Sequence, residues 1–154
     1  MKTKILVSAC LLGHNCKYNG KNNKNALACK LEEYFQVIPV CPEVFGQLPT
    51  PRAPSEIVGD RVVSSLGEDV TRQFESGAEQ TLYIAKEANT PCAVLKERSP
   101  SCGFGEIYDG SFSGTLCRGN GVTADLLCRN DIQVFGESQI EKLIDLYYFE
   151  DSAD

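Results

Sequence analysis

"KILVSA", Lys4 to Ala9, is a continuous apolar run built on Ile5, Leu6 and Val7, and Cys10 follows it directly. A strand with one wet face alternates apolar and polar residues. This run does not alternate, so it reads as a strand buried on both faces, the kind found inside a mainly parallel sheet covered by helices.

The rest of the chain answers in the same rhythm. Leu27, Leu31 and Phe35 recur every four residues and predict an amphipathic helix over about 25–35. "QVIPVC" (36–41) reads as a second strand, with Pro39 arguing against a central place because it cannot donate to a ladder. Val70, Phe74, Ala78, Leu82 and Ala85 mark a long helix, stopped near Asn89 by Pro91. "CAVLK" (92–96) is a third strand, "VTADLLCRN" a short helix and "IQVF" (132–135) a fourth strand. Ser138 with Glu141 suggests a capping box for a last helix that buries Ile140, Leu143, Ile144 and Tyr147. Small hairpins are expected at Gly59-Asp60 and Asp109-Gly110. Residues 42–56, with four prolines, are expected to be irregular and functional. Strand alternating with helix predicts an α/β fold. We expect residues 1–154 to form one Rossmann-like, three-layer domain, with about four mainly parallel strands and helices on both faces.

Composition narrows the function. The chain has 154 residues, 42% hydrophobic and 23% charged, as expected of one soluble globular domain. A net charge of −6 argues against general affinity for nucleic-acid backbones. Lys2, Lys4, Lys17, Lys21, Lys24 and Lys30 all precede the first acidic residue, Glu32; they read as a solvated helix face, with an RNA or anion patch as the alternative. "LVSAC" resembles a lipoprotein cleavage box, but the apolar stretch before Cys10 is shorter than the roughly 7–15 residues of a working leader. No run approaches the roughly 20 residues of a membrane span. We therefore expect a cytoplasmic protein with no membrane partner. In that reducing compartment eight cysteines point to metal binding or catalysis rather than disulfides.

Three cysteines stand at strand ends. Cys10 follows the first strand, Cys41 closes the second, and Cys102 lies in "RSPSCGFG" (98–105) beyond the third. Ligands of open parallel sheets bind outside the carboxyl ends of the strands, so these three converge on one site. Cys29, Cys92, Cys117 and Cys128 read as small apolar fillers. Cys16 shares a loop with Cys10 and could pair with it. The donor set leaves two chemistries open: zinc with His14 or Cys16 as a fourth ligand, or an iron–sulfur cluster. With three thiolates such a cluster keeps one iron free as a Lewis acid. His14, the single histidine, reads as a loop residue and excludes a multi-histidine zinc site. Glu43, two residues past Cys41, is either a general acid or base or a surface charge. Ser99 and Ser101 are turn hydroxyls or donors to a ligand. Arg52 and Arg98 either receive an anionic or carbonyl-bearing substrate or lie on the surface. No phosphate-binding loop or dinucleotide fingerprint occurs; "GFGEIYDG" lacks the strand–turn–helix setting.

The stretches "SACLLG…CKYNG", "PVCPEVFGQLPTPRAPSEIV", "GEDVTRQFESGA", "LKERSPSCG", "IYDGSFSG" and "GNGVTADLL" together resemble a bacterial family long catalogued as a domain of unknown function, whose best understood members are thiouracil desulfurases. The likeness runs in order from about Ser8 to Gly136. Gln47 stands where a second glycine is common, and Lys17 and Asn19 replace the commoner Arg and Asp. The resemblance implies a 4Fe-4S cluster held by Cys10, Cys41 and Cys102, one iron not bound by protein, with Glu43 and Ser99 as catalytic residues. It implies non-redox removal of sulfur from 2- or 4-thiouracil by Lewis-acid activation, releasing uracil and hydrosulfide. The rival expectations are a non-catalytic zinc or cluster module and action on thiolated tRNA. The sequence leaves the oligomeric state open.

Overall fold

In the computed structural model residues 2–149 are described. Along them the elements are β1 (Lys4–Ser8), α1 (Ala26–Lys30), β2 (Gln36–Val40), α2 (Pro42–Phe45), β3 (Ser55–Val58), β4 (Arg61–Ser64), α3 (Thr71–Glu87), β5 (Cys92–Leu95), β6 (Glu106–Tyr108), β7 (Leu116–Arg118), α4 (Val122–Arg129), β8 (Gln133–Gly136) and α5 (Ile140–Ile144). β2, β1, β5 and β8 lie side by side in that order as a parallel sheet. β1 is an interior strand and Ile5, Leu6 and Val7 are fully buried, as its unbroken apolar run requires.

The two faces of the sheet pack on different helices. Ile5 and Val7 join Ala28, Leu31, Phe35, Ile140 and Leu143, the layer of α1 and α5. Leu6, Ala93 and Leu95 join Ala85, Ala124 and Leu127, the layer of α3 and α4. This alternation of neighbours along β1 follows from side chains pointing to opposite faces at successive residues. β2 is an edge strand, with Pro39 opposite Val7, as its missing N–H demands. The hairpin β3–β4 packs Val62 against Val70 and Phe74 at the start of α3.

The chain leaves β1 toward α1 and β2, and leaves β5 toward α4 and β8. α1 and α4 lie on opposite faces, so the connections part between β1 and β5. That divergence is the point, at the carboxyl ends of these strands, where ligands of open parallel sheets bind.

Several local expectations are corrected. The helix expected over about 25–35 ends at Lys30 and continues as a tighter turn over Leu31–Glu33. Asn25 caps its start, accepting from the Ala28 N–H at 3.1 Å. Residues 42–56 are not wholly irregular: Pro42 opens the helical turn α2, where its missing N–H costs nothing, and β3 begins at Ser55. β6 and β7 pair as a hairpin, but residues 109–115 span them instead of a two-residue turn at Asp109-Gly110. The Ser138–Glu141 capping box does not form. Ser138 donates its N–H (2.7 Å) and hydroxyl (3.1 Å) to Glu97, while the Gln139 side chain accepts from the Gly136 N–H at 3.0 Å. The early lysines are mostly solvated but share no helix face, since Lys30 alone of them lies in a helix. Cys117 is exposed and so is no core filler. No described helix is long and apolar enough to cross a membrane.

Candidate active site

Each strand-end cysteine is held by a different backbone device. Cys10 sits in a single turn, Ala9–Leu12, closed by Gly13 at φ 98°. Its carbonyl accepts from the N–H groups of Gly13 (3.2 Å) and Asn23 (3.0 Å), which draws the loop after it back over the strand end. Cys41 is the extended residue that caps α2. α2 lies hard against α3: a Cβ on Gly77 would collide with the Pro42 carbonyl, and one on Gly46 with that of Gln73. Cys102 is set by the turn that the Ser99 hydroxyl organises, accepting from the N–H groups of Ser101 (3.1 Å) and Cys102 (3.0 Å). The Gly103 N–H closes on the Ser99 carbonyl at 2.8 Å, and a Cβ at Gly103 would lie 2.7 Å from that oxygen. The first N–H groups of α4 donate to the Pro100 and Ser101 carbonyls. Serine, proline and glycine around Cys102 are thus the parts of one rigid turn.

The thiols differ in charge preference, and Cys16 is the cause. Its thiol lies within hydrogen-bond reach of both Cys10 and Cys41, and these partners, with burial, hold it far above the usual thiol range as a neutral donor whose one hydrogen serves either sulfur. That donation is the largest reason why Cys10 and Cys41 each fall from 9.0 to about 7. Asn23 adds to the effect at Cys10, and the Val44 N–H and Arg52 add to it at Cys41, against burial. Cys102 is pushed up to about 12 by burial, partly offset by hydrogen bonds from Ser8 and Ser101. The single Cys16 S–H therefore favours a thiolate on Cys10 or on Cys41, one at a time, and Cys102 is a buried thiol that ionises only beside a compensating cation.

Next to these sulfurs Glu43 is clamped at both oxygens. Oε1 accepts from Arg52 Nε at 3.1 Å, and Oε2 accepts from the Ser101 hydroxyl at 3.0 Å. Ser101 Oγ is also 3.6 Å from Cys102 Sγ and 3.0 Å from Ser99 Oγ. An ionised Glu43 only accepts, so the hydroxyl hydrogens run from Ser99 to Ser101 to Glu43. Ser101 is 1% exposed, whereas Ser99 is half-buried and the more accessible of the two.

Cys10, Cys41, Cys102, Glu43 and Ser99 therefore gather at the carboxyl end of the sheet. Arg98 does not: it is exposed and faces Glu106 at 3.7 Å. His14 is exposed on the loop. Arg52 is neither a surface residue nor free for substrate, its side chain 6% exposed and committed to protein partners. Sequence reading offered Cys16 as a partner of Cys10 or a fourth ligand and Ser101 as a turn hydroxyl or ligand donor, but not Cys16's place against both thiols or the Ser101–Glu43 link, because both depend on how two loops return over the strand ends. Among the described residues no three of His, Cys, Asp and Glu close on a single-ion position. The donors are soft thiols without an imidazole, a set suited to iron–sulfur chemistry.

The chain is similar to several known proteins. The family model described as 2-thiouracil desulfurase matches residues 5–139. The uncharacterized protein YbbK of Bacillus subtilis (strain 168) is 41% identical over 150 residues, covering 91% of this chain and 99% of YbbK. Among solved structures, the 4Fe-4S-dependent thiouracil desulfidase TudS superimposes with a TM-score of 0.87 at 45% identity, covering 92% of this chain and 95% of TudS.

Proposed function

The chain belongs to the 2-thiouracil desulfurase family, and from that premise we propose that it removes sulfur from 2- or 4-thiouracil by non-redox hydrolysis. Cys10, Cys41 and Cys102 would hold its 4Fe-4S cluster. What carries this reading is the meeting of these thiols with a doubly held carboxylate, Glu43, at the end of the sheet where its connections part. The likeness to TudS supports it.

Bound there, the cluster would supply a Lewis acid that draws electron density from the thiocarbonyl. Glu43 takes a proton from a water molecule as the water oxygen adds to the thiocarbonyl carbon. The carbon–sulfur bond then breaks, sulfur leaves as hydrosulfide, and the water oxygen remains as the uracil carbonyl. Ser99 hydrogen-bonds to the ring during cleavage, and Ser101 links it to Glu43 along two contacts of 3.0 Å, while the proton taken from water stays on Glu43 until it is lost to solvent. Glu43 and Ser99 are thus the catalytic pair and Ser101 the link between them.

Residues 1–154 act as one domain in the cytoplasm on a small-molecule nucleobase. Net charge of −6 and scattered lysines favour the free base over thiolated tRNA, whose binding would weaken steeply with salt. Anaerobic purification tests the cofactor: iron, sulfide and a charge-transfer band at roughly 400 nm accompany sulfide release from thiouracil. Zinc in place of iron, with no release, would overturn the reading.

A further inference from the structure

We propose that Arg52 is the positioning residue of this site, aiming Glu43 and tying it to the loop that carries Cys16. The inference rests on Glu43 acting as the base. Arg52 lies in "PTPRAP" (49–54), outside any regular element, yet its side chain is among the least exposed of the charged groups at 6%. Its guanidinium reaches three segments at once. Nε donates to Glu43 Oε1 at 3.1 Å, and Nη2 to the Cys16 carbonyl at 2.8 Å. Nη1 donates to the Pro49 carbonyl at 3.2 Å and to Thr50 Oγ1 at 3.0 Å. The Arg52 backbone N–H completes the tie, donating to the Tyr18 carbonyl at 2.7 Å.

These partners decide between two roles. Four of the five guanidinium N–H groups are spent on protein acceptors, so Arg52 does not act as a substrate-binding cation. A glutamate has three side-chain torsions and holds one direction only when both oxygens are fixed. Ser101 fixes one of them and Arg52 the other. Arg52 also holds the carbonyl of Cys16, the residue whose thiol sits between Cys10 and Cys41, so one planar group sets the base relative to the sulfur donors. A lysine ammonium lacks the fixed fork and cannot satisfy these three directions together. Small misplacement of a catalytic group costs about 10²-fold in rate.

The test uses the cluster-loaded enzyme with Arg52→Lys, Arg52→Gln, Glu43→Gln and the double variant Arg52→Gln/Glu43→Gln, assayed on 4-thiouracil. Arg52→Lys and Arg52→Gln should keep the wild-type iron content and a KM within about threefold, while kcat falls by about 10- to 100-fold. The double variant should be no slower than Glu43→Gln alone, because Arg52 acts only through Glu43. In cluster-free protein, hydrogen exchange at residues 16–18 and 43–45 should quicken in Arg52→Lys and stay unchanged in segments that Arg52 does not touch, such as α5. A raised KM, or a double variant slower by the full product of the single effects, would overturn the proposal in favour of direct substrate contact. Loss of iron in Arg52→Lys would overturn it in favour of a purely structural pin. Wild-type turnover in the Arg52 variants beside an inactive Glu43→Gln would refute this inference alone, whereas wild-type turnover in Glu43→Gln would refute the base itself.

Discussion

Cys16 separates two kinds of sulfur at this site: those it turns into thiolates and the one that burial keeps protonated. In cluster-free protein the shared Cys16 donor pulls Cys10 and Cys41 down from 9.0 to about 7 and burial pushes Cys102 up to about 12, and Cys10, Cys16 and Cys41 lose protons as one coupled system rather than as separate groups. Because the first two values are depressed, their stabilising contribution is fully present above the unfolded thiol value and is lost as pH falls through about 7; for Cys102 the sign reverses, and its contribution is lost as pH rises above 9 toward 12. Iodoacetamide should therefore modify Cys10 and Cys41 ahead of Cys102 at neutral pH, read by peptide mass mapping. Cys16→Ala removes the donor that Cys10 and Cys41 share and should move their reactivity to higher pH. Unchanged profiles would mean that Cys16 does not set them. Replacing Cys10, Cys41 or Cys102 with Ala should abolish iron retention, whereas Cys29→Ala and Cys117→Ala should leave the iron content close to wild type. Equal loss from both groups would remove the ligand assignment.

At the scale of elements, what the sequence reveals depends on how local the cause is. β1 and α3 are legible because burial alone dictates their patterns, an unbroken apolar run in one and a helical period in the other, and Pro39 marks β2 as an edge strand through its own missing N–H. α2 escapes notice because four helical residues have no period, and the prolines of 42–56 hide that Pro42 is well placed in a first turn. Ser138 misleads for another reason: its partner, Glu97, is distant in sequence and outcompetes the local cap. α2 nevertheless positions both Cys41, at its cap, and Glu43, and glycine contacts fix it on α3. Gly77→Ala would force the Pro42 carbonyl away. It should cost about 1–3 kcal/mol of stability, as overpacking does, and lower iron retention and turnover together. Denaturant unfolding and iron analysis check this, and full iron retention would show that α2 tolerates displacement.

For the whole molecule, the order β2-β1-β5-β8 brings residues 10, 41 and 102 together. Sequence alone could place each cysteine at a strand end, and the rule for ligand sites in open sheets then supplied their convergence. The links among them, Cys16, Ser101 and Arg52, were not legible, since each depends on loops meeting in three dimensions. The proposed chemistry turns on Glu43 acting on substrate and not on metal. The most direct test is anaerobic sulfide release from 4-thiouracil by reconstituted Glu43→Gln, measured beside its iron content. With Oε1 and Oε2 committed to Arg52 and Ser101, the variant should retain wild-type iron and lose turnover by about 10²-fold or more. Iron loss like that of the cysteine variants, or sulfide release at the wild-type rate, would contradict that role.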